Sequence, residues 1–360
     1  MEDPATPHAM RIVSALDGGV TREEWDGFAA RRPESTFCHM HGWAAVMARA
    51  MGHTPAFLAA VDESGIRGIL PLVDIRSPFF GRCLVSMPFL SYGGPIGTDE
   101  ATRLLCDRAI DLARDSGADR LQLRTRTRVA LPVEAGAPRL TPDLERLTVV
   151  LDLPDDPEVL WKDGLSGKVR SQVRRPGKEG MVARFGLEHI DPFYDVFSRT
   201  MRELGIPVLP RRLFRESATT FPDRTEVGVV YHGDRPVAGG FGFLWNGELE
   251  MTWGASLREH RRMAPNMLLS WAFLERAIER GARVFNFGRC RPGDGTHRFK
   301  SQWGAACDLP LPWVRWSKDV QSVDPGPRGG KAIRHAWRIW RRLPLALTNR
   351  LGPPIARLIP

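Results

Sequence analysis

Apolar and polar positions along the chain fall into two successive series of strand and helix periods, and the second series is the clearer. Residues 181–188 alternate as a strand does. Asp191-Pro192 opens a helical period to about Leu204, with an acidic N-cap and proline at the first position. A second helix starts at Pro210 and reaches about Thr220. Strands follow at 226–231, 236–244 and 249–255, separated by His232-Gly233-Asp234 and Asn246-Gly247, both hairpin signals. Pro265 starts a long helix that Gly281 ends, and 284–287 reads as a short strand. A glycine-rich turn, a short helix near 296–303 and a last strand around 311–316 complete the set. The first series runs in a similar order. Strand 11–15 leads to helix 21–30, whose Thr21 and Glu24 are spaced as a capping box, and to helix 42–51. Strands 56–61, 68–75 and 83–87, helix 98–116 and strand 120–124 come next, and strand 145–153 leads out.

The second series reads β-α-α-β-β-β-α-β-α-β, the order of the GNAT acyltransferase fold. With 360 residues the chain is longer than one compact core usually takes. The predicted fold class is therefore α/β with mixed sheets, as two tandem GNAT-like domains: 1–153, 154–320, and a basic tail over 321–360. The halves share no residue-level identity, so the repeat is one of architecture.

Charge and cysteine usage narrow the partners. A formal charge of +9 favours anionic ones: tRNA, nucleotide-linked precursors or acidic lipid. Five cysteines without CxxC spacing point to reduced thiols, and neither they nor the Cys38-His39-Met40-His41 run reads as a metal site. The acidic start Met1-Glu2-Asp3-Pro4 has no apolar core after it, and the reading is a cytoplasmic protein. In the tail, Lys331, Arg334, Arg338, Arg341 and Arg342 fall on one helical face and Ile333, Trp337 and Trp340 opposite. Residues 331–343 are thus expected either to touch an anionic membrane surface from the cytoplasmic side or to pack on the domain.

The second half carries specific strings: Trp253-Gly254-Ala255-Ser256-Leu257-Arg258, Pro265-Asn266-Met267-Leu268-Leu269, Phe285-Asn286-Phe287-Gly288-Arg289, and Gly295-Thr296-His297-Arg298-Phe299-Lys300-Ser301-Gln302-Trp303-Gly304. With Lys168-Val169-Arg170 and Val173-Arg174-Arg175 upstream, they resemble the FemAB family, nearest to its exosortase/PEP-CTERM-associated branch. The resemblance runs over nearly the whole chain, and 299–304 is its most specific part. Better-known members pass an amino acid from aminoacyl-tRNA to an amine of a peptidoglycan precursor. The resemblance therefore implies a double GNAT fold and an acyl-transfer reaction but does not carry the acceptor over; the first reading takes the acceptor to be an amine of a cell-envelope precursor, of peptidoglycan or exopolysaccharide. Two positions depart from it: Asn286 stands where Asp is expected, and Pro176 interrupts the basic segment. The helical hairpin that some Fem proteins use to hold tRNA is missing as well.

Direct acyl transfer to an amine needs a neutral nucleophile, an adjacent donor and stabilisation of an oxyanion. No Gly-x-Ser-x-Gly elbow or Cys–His signature appears, which fits transfer without a covalent enzyme intermediate. The segment corresponding to the glycine-rich coenzyme A loop, from Arg258 to Asn266, has no glycine, and Pro265 lacks an N–H. This argues against ordinary acetyl-CoA binding, although Arg258, Arg261 and Arg262 suit phosphate as well as solvent. The catalytic candidates are Lys300, for an oxyanion, and Asp294 and His297, for the amine proton. The substrate-binding candidates are Arg170, Arg174, Trp253, Arg258, Asn266, Arg289 and Arg298. Proline 176 is expected to kink or end the basic helix, and Trp253 and Asn266 have the alternative roles of core residue and helix cap. No tightly bound cofactor is expected, the donor being aminoacyl-tRNA or acyl-CoA as co-substrate. Three readings stay open: a Fem-like transferase, an acyl-CoA-dependent N-acyltransferase on an exopolysaccharide sugar, and a non-catalytic polyanion-binding assembly factor.

Overall fold

The computed structural model describes residues 10–78, 80–134, 137–318 and 338–360. It divides into two compact units. The first holds the described residues through Leu144 and those from Leu311 to Lys318; the second holds Glu145–Pro310 and the described tail to Ile359. The fold is mixed α/β, two GNAT-like units in tandem.

In the first unit the strands are β1 (Arg11–Ser14), β2 (Leu58–Asp62), β3 (Gly65–Leu70), β4 (Val73–Ser77), β5 (Gly81–Val85), β6 (Arg120–Leu123) and β7 (Thr141–Asp143). Helix α1 (Arg22–Ala30) begins with the expected capping box, and α2 (Asp99–Asp115) is capped by Thr98. The strand expected over 68–75 is broken at Pro71-Leu72, because proline cannot donate to a ladder. Cys38 and His39 are buried; His39 bridges the amide of Thr36 and the carbonyl of Gly94.

The second unit contains β8 (Leu147–Asp152), α3 (Gly167–Lys178), β9 (Met181–Phe185), α4 (Ile190–Leu204), α5 (Arg211–Thr220), β10 (Thr225–His232), β11 (Arg235–Trp245) and β12 (Glu248–Ser256). It continues with α6 (Pro265–Glu279), β13 (Val284–Cys290), α7 (Gly295–Lys300), β14 (Cys307–Pro310) and the tail helix α8 (Leu345–Ala356). Among the described residues its strands form one sheet in the order β9-β10-β11-β12-β13-β8-β14.

Two strands sit elsewhere than the hydrophobic pattern suggests. The strand predicted to close the first half is β8, which pairs antiparallel with β13 and β14 in the second sheet. The strand predicted to close the second half is β15 (Trp313–Ser317), which pairs with β6 and β7 of the first unit. Alternation reports which face of a strand is buried, not which neighbour it pairs with. One smaller expectation is met in part and another fails. Helix α3 runs through Pro176, which is buried within it, and ends two residues later at Lys178. Asp191 is not a cap: α4 starts at Ile190 after His189, with no side-chain cap.

Phe193, Phe197, Phe214, Phe241, Phe243 and Trp253 pack together between α4, α5, β11 and β12, several of them edge to face, with centroids 5.2 Å apart in Phe193–Phe214 and in Phe214–Trp253. Across the sheet, Glu226 is buried and paired with Arg276 (2.9 Å) and Arg280 (2.8 Å) of α6, which ties that helix to β10. The predicted basic tail helix falls largely on 331–337, outside the described residues; 338–340 form a helical turn. Phe214 is fully buried at the centre of the aromatic cluster. Phe214→Ala is expected to destabilise the protein by about 3–5 kcal/mol, read as a lowered urea midpoint.

Candidate functional site

Strands β12 and β13 are parallel, and they pair over three positions only: Glu248 with Val284, Leu249 with Phe285, and Glu250 with Asn286. Beyond that point β12 stays on β11 alone and β13 on β8 alone. The two central strands part there, and the parting is the site.

The local sequence causes it. Gly288 takes φ +76°, a conformation in which a side chain is strained. Asn286, fully buried, holds the strands around it. Its Nδ2 donates to Glu248 Oε1 (2.8 Å), and its Oδ1 accepts from the Thr148 hydroxyl and from the Gly288 amide (2.8 Å). One amide thus connects β12, β13 and β8, using a donor and an acceptor at once, which a carboxylate does not offer. The missing acid of the Phe-Asp-Phe-Gly string therefore removes no group from the gap, because the side chain at 286 serves the sheet.

Lys300, on the last turn of α7, is 8 % exposed. Its Nζ donates to the carbonyls of Gly288 (2.7 Å) and Arg289 (3.0 Å). Two of its three protons are used, and one is left for a ligand. Burial pulls its pKa down to about 8, against the opposing pull of nearby Cys290, Glu250 and Asp294. Glu250, 1 % exposed, accepts from the Thr252 hydroxyl at 3.4 Å. Lys300 Nζ and Glu250 Oε1 both lie within 4.0 Å of the point where a side chain on Gly288 would begin. An ammonium and a carboxylate therefore flank one glycine at the place where the strands separate.

Asp294 caps α7, its carboxylate accepting from the His297 amide (2.6 Å). His297 has both ring nitrogens engaged: Nδ1 accepts from the Gly293 amide (2.9 Å), which puts the proton on Nε2, facing Asp308 at 2.9 Å. Arg289 is half-buried in β13, and Arg298 is exposed on α7.

The remaining candidates lie apart from the gap or only border it. Arg170 does not face outward with Arg174: its Nη1 donates to the carbonyls of Trp161, Lys162 and Leu165 and closes the turn before α3. Arg174 is exposed and lies over the Trp161 ring at 5.1 Å. Trp253 belongs to the aromatic cluster, so it is no pocket floor. Asn266 does not cap α6, whose cap position is Ala264 at φ 57°; the glycine-free loop has a left-handed residue all the same. Arg258 and its neighbours Arg261 and Arg262 are exposed on a 3-10 turn before that helix.

Two residues of the site were passed over in the sequence. Glu250 carried a weak signal, a carboxylate set between Leu249 and Met251 in a strand of partly buried pattern. Asp308 carried none, because its pairing with His297 depends on the turn between α7 and β14.

The first unit has the same parallel pair, β5 beside β6, with Cys83 opposite Arg120 and Val85 opposite Gln122. There the strand ends are filled. Arg124, 5 % exposed, donates to the carbonyls of Met87 (3.2 Å) and Leu90 (3.0 Å) and lies over Trp313 at 5.0 Å.

Comparison with known proteins agrees with this division. Residues 166–301, which hold five of the seven strands of the second unit's sheet together with Glu250, Asn286, Gly288 and Lys300, match the family described as acetyltransferase (GNAT) domain. No curated protein matches the chain. Among solved structures, FemX superposes with a TM-score of 0.62 at 14 % identity, covering 85 % of this chain and 97 % of its own. The C-terminal domain of a putative lysylphosphatidylglycerol synthetase from Agrobacterium fabrum gives 0.55 at 14 %, covering 81 % and 90 %. A tandem GNAT protein from the clavulanic acid biosynthesis pathway gives 0.54 at 15 %, covering 86 % and 98 %. The domain match supports a GNAT acetyltransferase-type domain over residues 166–301, and the solved structures share the tandem fold.

Asn286→Asp would set a second carboxylate against Glu248. The variant is expected to lose about 1–3 kcal/mol at neutral pH. Such a pair has a raised folded-state pKa, so the deficit should shrink as pH falls and one acid takes a proton. Denaturant melts at pH 8 and pH 5 check this; an equal deficit at both would show that the bond network is not the cause.

Proposed function

We propose that the second unit transfers an acyl or aminoacyl group from a polyanionic donor to an amine of a cell-envelope precursor, at the parting of β12 and β13. The observation that carries this reading is the pair Lys300 and Glu250 around Gly288. In the reaction, the acceptor nitrogen attacks the donor's ester or thioester carbon. The free N–H of Lys300 addresses the oxygen on which negative charge develops. Glu250 takes the proton released by the amine and, as the bond to the donor's hydroxyl or thiol breaks, gives that proton to the leaving group.

The donor loop favours an aminoacyl ester over ordinary acetyl-CoA. With no glycine the backbone before the helix is less open to close approach by a pyrophosphate, and Pro265 at the helix start lacks one N–H donor. Arg258, Arg261, Arg262 and Arg298 offer exposed side-chain charge instead. The Fem resemblance points to an amine of a peptidoglycan or exopolysaccharide precursor as acceptor.

The full chain and Lys300→Met should be titrated side by side with charged tRNA, uncharged tRNA and acyl-CoA, and then assayed for transfer. Preference for charged tRNA, with transfer reduced about 10²- to 10³-fold in the variant, is the expected result. Binding of acyl-CoA with no discrimination between the tRNAs would remove the aminoacyl reading and move the search to CoA-dependent glycan acylation. Because the Lys300 pKa is lowered to about 8, its charge is present below that pH and lost above it. Wild-type transfer should therefore fall as pH rises through about 8, well below the 10.5 of an ordinary lysine.

A further inference from the structure

The tail helix α8 has one face against the second unit and another that nothing in the described structure covers. Thr348, Gly352 and Ala356, at spacings of four, form the buried stripe. Gly352 lies so close to Val208 that a Cβ there would come within 2.9 Å of it, and Asn349 reaches Ser198 of α4 at 3.5 Å. On the flank of that stripe, Leu347 and Leu351 are exposed at 38 % and 40 %, with Pro354 exposed on the same side. Arg350 and Arg357 flank this apolar strip along one edge. The tail begins against the end of α4: Arg341 Nη2 donates to the Leu204 carbonyl at 3.1 Å, and Leu204 and Ile206 are both exposed.

The charge around this face is of one sign. Residues 338–360 hold five arginines, Arg338, Arg341, Arg342, Arg350 and Arg357, and no carboxylate. Among the described residues none of the five is in an ion pair, and in the adjacent stretch 199–209 the sole acid is Glu203. An uncovered leucine strip edged by guanidinium groups matches a surface that is apolar inside and negative at its rim. An anionic lipid bilayer has that profile, since leucine side chains enter the acyl boundary while arginines stay at the phosphates. No helix among the described residues is long and apolar enough to cross a membrane, so the contact would be one of lying on the surface.

We propose that α8, with the exposed end of α4, is a docking face for an anionic bilayer. It places the second unit, which carries the Lys300 site, at the membrane surface by a contact independent of that site. The face is formed within the second unit by residues that take no part in the proposed transfer.

The test is flotation of the full chain with two kinds of vesicle, phosphatidylcholine alone and phosphatidylcholine with about one-third phosphatidylglycerol. The expected result is flotation with the anionic vesicles, reduced by salt, and little with the neutral ones. Leu347→Gln/Leu351→Gln keeps the charge and alters exposed positions only; each leucine removed should weaken partition about tenfold. Arg350→Gln/Arg357→Gln should weaken it about fivefold per arginine. Failure to float with anionic vesicles at low salt would overturn the proposal. So would flotation that the leucine pair leaves unchanged, which would assign binding to the net charge of +9 alone. A dimer that the leucine pair converts to monomer, without vesicle binding, would instead assign the face to a second copy of the chain. The readout needs no substrate, so its outcome is separate from that of the transfer assay.

Discussion

The second unit is organised around the cost of keeping a lysine charge out of water. An ammonium in an interior is unfavourable unless its protons find acceptors and a negative group lies near. Lys300 meets both conditions through the backbone of β13, whose left-handed turn at Gly288 leaves two successive carbonyls for Nζ. That turn depends on Asn286, which accepts the Gly288 amide while holding β12 and β8 to either side. The parting of the parallel strands, the placement of the ammonium and the burial of Glu250 are thus consequences of a single arrangement. A change at Gly288 or Asn286 acts on all of them.

The first unit shows what the same topology does without that arrangement. Its parallel strands also end at a loop of unusual backbone, with positive φ at Met87, Phe89 and Gly93. There the buried cation is Arg124, which spends its donors on the loop's own carbonyls and stacks on Trp313. A planar guanidinium with several fixed donors ties a loop down, whereas an ammonium with one donor to spare can serve a ligand. The distinction between the two strand ends lies in side-chain chemistry more than in fold. This is why the acyl-transfer reading attaches to the second unit alone.

Much of the architecture was legible in the hydrophobic pattern, because helix and strand periods are local. The capping box at Thr21, the hairpin turns, the long helix from Pro265 and the nine-element order from β9 to α7 all depend on neighbours within a few residues. What escaped is non-local. Strands β8 and β15 are read as strands from their own residues, yet each pairs in the sheet of the other half of the sequence, and no period reports a partner. The site divides in the same way. Lys300 stood out through its string, while Glu250 had a weak local signal and Asp308 none. Arg170, Trp253 and Asp294 were of the right chemical type for a ligand, and each is used by the fold instead: one closes a turn, one fills an aromatic core, one caps a helix.

The charges that remain divide by range. Arg258, Arg261, Arg262 and Arg298 are exposed, so their attraction for a phosphate is weakened by water and salt but acts over a Debye length. Lys300 is buried, so its field is strong and confined to the gap. Exposed arginines suit capture and alignment of a large anion without fixing its reactive carbon. A single buried ammonium does the reverse, with little reach into solvent and a strong preference for negative charge at one point. A donor whose phosphates are many and whose reacting carbonyl is small and neutral until attack is the kind of molecule that needs both. The glycine-free loop before α6 then follows as part of the same design, since phosphate held by flexible side chains leaves the backbone at the helix start with less to do.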